Sequence, residues 1–142
     1  MSRIFWDSNL FIYLLEKNPV FAPDVKTLLL KMSARGDQLF TSALTVGEVL
    51  AKPLEVGDFA RSDRFEKAIQ QAATILTFDL PAARHFAQLR AQRLPGIRPP
   101  DALQLACAGS AGMDLFLTND SRLHGLKVDG IHFITSVQRA PI

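Results

Sequence analysis

Five short runs rich in β-branched and aromatic residues punctuate the chain, at residues 4–6, 39–41, 75–78, 115–118 and 132–135. None alternates strictly between apolar and polar positions, the pattern of strands covered on both faces. Between them lie stretches of helical period. Val25, Leu28, Leu29 and Met32 follow the i, i+3, i+4, i+7 spacing, and so do Phe65, Ala68, Ile69 and Ala72. Ala102, Leu105, Ala106 and Gly109 repeat it with small residues suited to close packing on a sheet. Strands alternating with helices predict an α/β domain with a parallel sheet and helices on both faces. The last connection leaves room for one brief helix, near the minimum for a parallel crossover. Residues 10–15 are apolar almost all round, which places them in a deeply sandwiched helix or on a dimer face.

Composition narrows the picture. The 142 residues form one domain, 1–142, with no repeat or break in composition. At 48% apolar and 21% charged the chain is an ordinary globular protein. Its net charge of +2 does not by itself announce a nucleic-acid partner. A lone cysteine, Cys107, excludes a disulfide framework and a cysteine-based zinc site; its apolar neighbours make it a small core residue. No apolar run approaches the ~18 residues that span a bilayer. Arg3 followed by residues 10–15 imitates a signal peptide, but Asp7 and Glu16 bracket the run and no small-residue cleavage site follows. The expectation is a soluble, cytoplasmic protein without membrane contact.

Of the fourteen acids, four fall where parallel α/β folds place ligands. Asp7 follows the first strand in Asp7-Ser8-Asn9. Glu48 lies one turn into the helix after the second strand, Asp101 opens the helix after Pro99-Pro100, and Asp120 closes Thr118-Asn119-Asp120. Each has a bland explanation. Asp7 and Asp120 suit helix N-caps, Asp101 suits a first helical turn, and Thr45-Val46-Gly47-Glu48 fits a capping box. Together they point elsewhere, because all strands of a parallel sheet end on one edge and strand-end acids converge there. Unpaired, such carboxylates repel. No run of Lys or Arg in the same motifs neutralises them, whereas a divalent cation does. All-oxygen ligands favour Mg²⁺ or Mn²⁺ over zinc, and His85, His124 and His132 lack zinc spacing. Asp79 reads as a helix cap before Pro81, and Asp114 belongs to the opposite, amino edge of the sheet.

These residues resemble the four acidic motifs of PIN domains: Asp7-Ser8-Asn9, Thr45-x-x-Glu48, Pro100-Asp101-Ala102 and Thr118-Asn119-Asp120. Order, spacing and length match over essentially the whole chain, most closely those of the small VapC-type toxins of bacterial toxin–antitoxin pairs. The resemblance implies a three-layer α/β/α domain around a central, mostly parallel five-stranded sheet. It also implies an endoribonuclease dependent on Mg²⁺ or Mn²⁺, a homodimer, and a VapB-like antitoxin that blocks the acidic pocket. On that reading Asp7, Asp101 and Asp120 hold one or two ions, with Glu48 as a further ligand or a supporting acid. Water attacks the phosphodiester, leaving 5′-phosphate and 3′-hydroxyl ends. Asn9 and Thr118 orient ligand carboxylates or a substrate phosphate. RNA contact falls to Arg98, the last of four arginines (with Arg84, Arg90 and Arg93) in the acid-free stretch 80–100.

Rival classes are weaker. No G-x-G-x-x-G turn follows the first strand and no P-loop is present. An aspartyl-nucleophile phosphatase normally carries Asp where this chain has Asn9. The standing alternatives are a PIN-like module that binds RNA or protein without cutting, and an RNA-processing nuclease that is not a toxin.

Overall fold

The computed structural model describes all of residues 1–142. Its sheet has the order β3-β2-β1-β4-β5 and every pairing is parallel. The strands are β1 (Arg3–Trp6), β2 (Gln38–Ser42), β3 (Thr74–Leu76), β4 (Met113–Leu117) and β5 (Ile131–Thr135). The helices are α1 (Ser8–Leu15), α2 (Ala22–Arg35), α3 (Ala43–Glu55), α4 (Phe59–Ala72), α5 (Leu80–Gln92) and α6 (Pro99–Ala111).

The alternating faces of β1 explain the layers. Ile4 and Trp6 enter a core shared with Leu10, Phe11, Val25, Leu28, Val49, Phe65 and Ile69 of α1 to α4. Phe5 points the other way, into a core built with Leu89 of α5 and Ala102, Leu105 and Ala106 of α6. There Phe5 stacks on Phe116 of β4 with ring centroids 4.9 Å apart. Small residues on α6 let that helix lie close to the sheet. At its end, Gly130 comes so near the Gly109 carbonyl that a Cβ would sit 1.9 Å from the oxygen, and its φ of +84° also demands glycine. The result is the α/β/α architecture with β1 central, flanked by β2 and β4.

Several expectations shift in detail. The third strand is Thr74–Leu76, shorter and earlier than the apolar run 75–78, because Thr77 and Phe78 leave the sheet and Phe78 packs edge-on against Phe86. On the outer strand β5, His132 and Phe133 are exposed rather than covered on both faces. The final crossover carries only a 3₁₀ turn, Ser121–Leu123, not an α-helix. Helix α1 is sandwiched: Leu10 and Phe11 are buried, and Ile12 to Leu15 pack partly against the same core, beside α2 and α3. No helix is long and apolar enough to cross a membrane.

Candidate functional site

Three of the four acids sit on the termini that follow β1 and β4 or open α6, and Glu48 projects from α3 behind β2. The neighbouring order β2-β1-β4 carries Asp7 and Asp120 to adjacent positions on the carboxyl edge, the Asp7 N–H bonding the Leu117 carbonyl across the two strands at 3.0 Å. The bland roles are partly real. Asp7 caps α1 through the Ser8 N–H, Asp120 caps the 3₁₀ turn, and Asp101, in the first turn of α6, accepts from the Arg98 N–H at 3.0 Å. For Glu48 the bland role is wrong. Ser42, not Thr45, caps α3, so Thr45 lies inside the helix, buried, and the apparent capping box does not form. Asp79 does cap α5, through the Ala82 N–H. Asp114 stays at the amino edge, accepting from the Arg3 N–H and facing His132.

Asp7 is the anchor. It is only 8% exposed, and both its oxygens are held by neutral donors. The Thr118 hydroxyl donates to Oδ2 at 2.8 Å, while the Ser8 N–H at 2.8 Å and Gln104 Nε2 at 3.2 Å donate to Oδ1. Burial pushes its carboxyl above the usual range against the pull of these donors, and the negative charge of Asp101 adds to the rise. Glu48 is raised in the same way, by burial first and then by Asp7 and Asp101, with the Ser8 hydroxyl opposing. These acids therefore share one electrostatic field.

Thr118 and Asn9 form the brace. The Thr118 hydroxyl accepts from Asn9 Nδ2 at 3.1 Å and from the Asp120 N–H at 3.1 Å while donating to Asp7. Asn9 Oδ1 in turn accepts from the Asn119 N–H, and Asn119 Nδ2 donates to the Tyr13 hydroxyl at 2.7 Å. The Thr118 carbonyl is bonded by His124 Nε2. The motif residues thus tie α1 to the end of β4.

Two residues were not foreseen. Gln104 is buried and is bonded to Asp7, to the Thr45 hydroxyl at 2.7 Å and to the Ser42 hydroxyl, so one amide ties together the starts of α1 and α3. Its signal was a single polar residue in the apolar run of α6, three positions beyond Asp101 and so on the same face. Arg122, just outside the four motifs, supplies the neutralising cation that the motifs themselves lack. Its guanidinium forks onto Asp120, with Nε 2.9 Å from Oδ1, and reaches Asp101 Oδ2 through Nη2 at 3.4 Å. Asp120 is consequently held below the usual carboxylate range, chiefly by this hydrogen bond. Arg98 flanks the rim with its side chain 71% exposed and Nε 3.9 Å from Asp101 Oδ2. Arg84, Arg90 and Arg93 are exposed along α5 and its end.

No three acid, histidine or cysteine side chains are drawn into a closed metal-binding group. The donor set nevertheless suits a hard divalent cation: every group is an oxygen, and neither Asp7 nor Glu48 has a cationic partner. Cys107, its thiol pushed up to about 11 by burial and by Asp79, stands apart from this chemistry.

The PIN domain family model matches residues 4–128, and the chain belongs to that family. Among curated proteins no sequence relative is found. Among solved structures the fold is similar to that of VapBC2 from Rickettsia felis bound to a DNA fragment from its promoter, with TM-score 0.76, 14% identity and coverage of 94% of this chain and 98% of that one. DNA-bound VapBC from Salmonella typhimurium gives TM-score 0.74 at 20% identity, covering 96% and 99%. The toxin–antitoxin family member VapBC-5 from Mycobacterium tuberculosis gives 0.62 at 20% identity, also covering 96% and 99%.

Proposed function

We propose that the protein is a divalent-metal-dependent endoribonuclease, the toxin of a toxin–antitoxin pair, acting as a homodimer restrained by a VapB-like antitoxin. The observation that carries this is the linkage of three acids at the carboxyl edge of the sheet: Asp7 is buried and fixed by Thr118, whose hydroxyl also takes the Asp120 N–H, and Arg122 joins Asp120 to Asp101. Membership of the PIN family and the similarity in fold to VapBC proteins support it.

Asp7, Asp101 and Asp120 would hold Mg²⁺ or Mn²⁺, with Glu48 completing or supporting the set. When bound there, such an ion would supply an acidified water and offset charge developing on the phosphodiester. Gln104, Thr118 and the Ser8 N–H fix the direction of the Asp7 oxygens, as partners behind a ligand do. Asn9 holds Thr118 in place and so acts on Asp7 at one remove. Glu48, its carboxyl raised chiefly by burial and further by Asp7 and Asp101, lies in the field of the other two acids. Arg98 offers an exposed cation to an RNA phosphate beside Asp101.

The test is cleavage of labelled structured RNA by the purified protein with Mn²⁺ and with EDTA. Metal-dependent strand scission that ends at 5′-phosphates is the expected result. The pairing of Arg122 with Asp101 and Asp120 favours one second reading, a PIN domain that binds without cutting. Failure to cut any RNA while binding it tightly would select that reading.

A further inference from the structure

Arg122 pairs with the Asp101 and Asp120 half of the acidic site and is held on three sides. Its Nε lies 2.9 and 3.2 Å from the two Asp120 oxygens, Nη2 faces Asp101 as well as Asp120, and Nη1 donates to the Gly96 carbonyl at 2.8 Å. One guanidinium thus joins the start of the 3₁₀ turn, the first turn of α6 and the loop between α5 and α6. The side chain remains 36% exposed. The opposite half is built differently: Asp7 and Glu48 have only neutral hydrogen-bond partners and no cation near them.

A cation bound between the two halves meets two unequal sets of ligands. Asp7 and Glu48 gain charge compensation they lack, whereas Asp101 and Asp120 already have it. A dication and a guanidinium sharing the same two carboxylates repel, so one must yield. Solvent-exposed ion pairs hold weakly, and the arginine is the partner with water to turn into.

We propose that Arg122 is a resident counter-cation which a divalent ion displaces from Asp101 and Asp120, so that this residue sets the metal affinity of the site and couples metal entry to release of the 94–98 loop. The inference rests on the metal-site reading above and deepens it. Arg122 is a positioning residue here: it governs where the carboxylates point and what charge they present. Displacement frees the Gly96 carbonyl and, with it, the segment that carries Arg98.

Calorimetric titration of MnCl₂ into the metal-free wild-type protein and its Arg122→Ala, Arg122→Gln and Arg122→Lys variants tests this without reference to catalysis. Arg122→Gln retains a donor for Gly96 and guards against a fold defect in the alanine variant. The alanine and glutamine variants are expected to bind Mn²⁺ about three- to tenfold more tightly, the scale of losing one exposed ion pair as competitor. Arg122→Lys keeps the charge and stays near the wild-type value. Hydrogen exchange is expected to quicken across residues 94–98 of the wild-type protein when Mn²⁺ is added, and to be fast from the outset in Arg122→Ala. Wild-type binding with equal or weaker affinity in the alanine and glutamine variants overturns the proposal and leaves the metal site standing. So does tightening in the lysine variant as large as in alanine, or exchange at 94–98 that slows with Mn²⁺. Absence of Mn²⁺ binding in all four proteins overturns the metal-site reading itself, and this proposal with it.

Discussion

The two halves of the acidic site handle negative charge in opposite ways. On the inner side Asp7 is buried and, like the more open Glu48, has no cationic partner; the hydroxyl, amide and backbone N–H around Asp7 hold its carboxylate in place without cancelling its charge. On the rim Asp101 and Asp120 share the Arg122 guanidinium, which cancels charge outright. The titration of the acids follows this division: Asp7 and Glu48 are raised, Asp120 is lowered. Neutral partners thus leave charge available for a ligand, while a cationic partner keeps the apo site from repelling itself.

The largest expected consequence is unequal sensitivity to removing charge. Asp7→Asn should lower metal-dependent RNA cleavage by about a hundredfold or more, the several kcal/mol a metal contributes at about 1.36 kcal/mol per decade. Asp120→Asn should cost about tenfold, because its charge is already offset in the resting protein. Steady-state rates at saturating Mn²⁺ check this, and equal losses would break the comparison. Next comes the amide that organises the inner half. Gln104→Ala leaves buried polar groups on Asp7, Ser42 and Thr45 without their partner, so urea unfolding should show a loss of about 1–3 kcal/mol.

The smallest effect is the dependence of stability on pH in EDTA. A carboxyl raised in the folded state holds its proton longer there than in the unfolded chain. Stability from Asp7 and Glu48 is therefore present at low pH and declines as pH rises from about 4 through their folded values. Asp120, lowered by Arg122, works the other way: its contribution is present above its unfolded value of about 4 and is lost as pH falls through the folded one. Thermal melts across that range should lose part of their decline with rising pH in Asp7→Asn, and part of their decline with falling pH in Asp120→Asn. A wild-type slope unchanged by both substitutions would remove the electrostatic distinction between the halves.

Much of this was legible in the chain because it is local. Runs of apolar residues mark strands, a strand's end fixes its edge of the sheet, and an acid immediately after it inherits that place. Hence Asp7 and Asp120 were located from neighbours within three positions. The error at Thr45 was also local: a capping-box pattern formed in sequence one turn inside a helix that Ser42 had already begun. Phe78 looked like strand because its hydrophobicity cannot distinguish a place in the sheet from packing on Phe86. Arg122 was not legible, since its pairing with Asp101 spans 21 positions and depends on how the crossover to β5 folds back. Its pairing with Asp120 joins residues i and i+2 in a 3₁₀ turn, a spacing that helical periodicity does not bring face to face.

The central claim, that a buried anchor and a cation-paired rim form one metal site, is tested most directly by an anomalous difference map from crystals soaked in Mn²⁺. The account predicts a single cluster of Mn²⁺ density at the carboxyl edge of the sheet, with an Asp7 oxygen at about 2.1 Å and Arg122 withdrawn from Asp101. Density that never approaches Asp7, or a soaked site that stays empty with Arg122 still bridging Asp101 and Asp120, would contradict it.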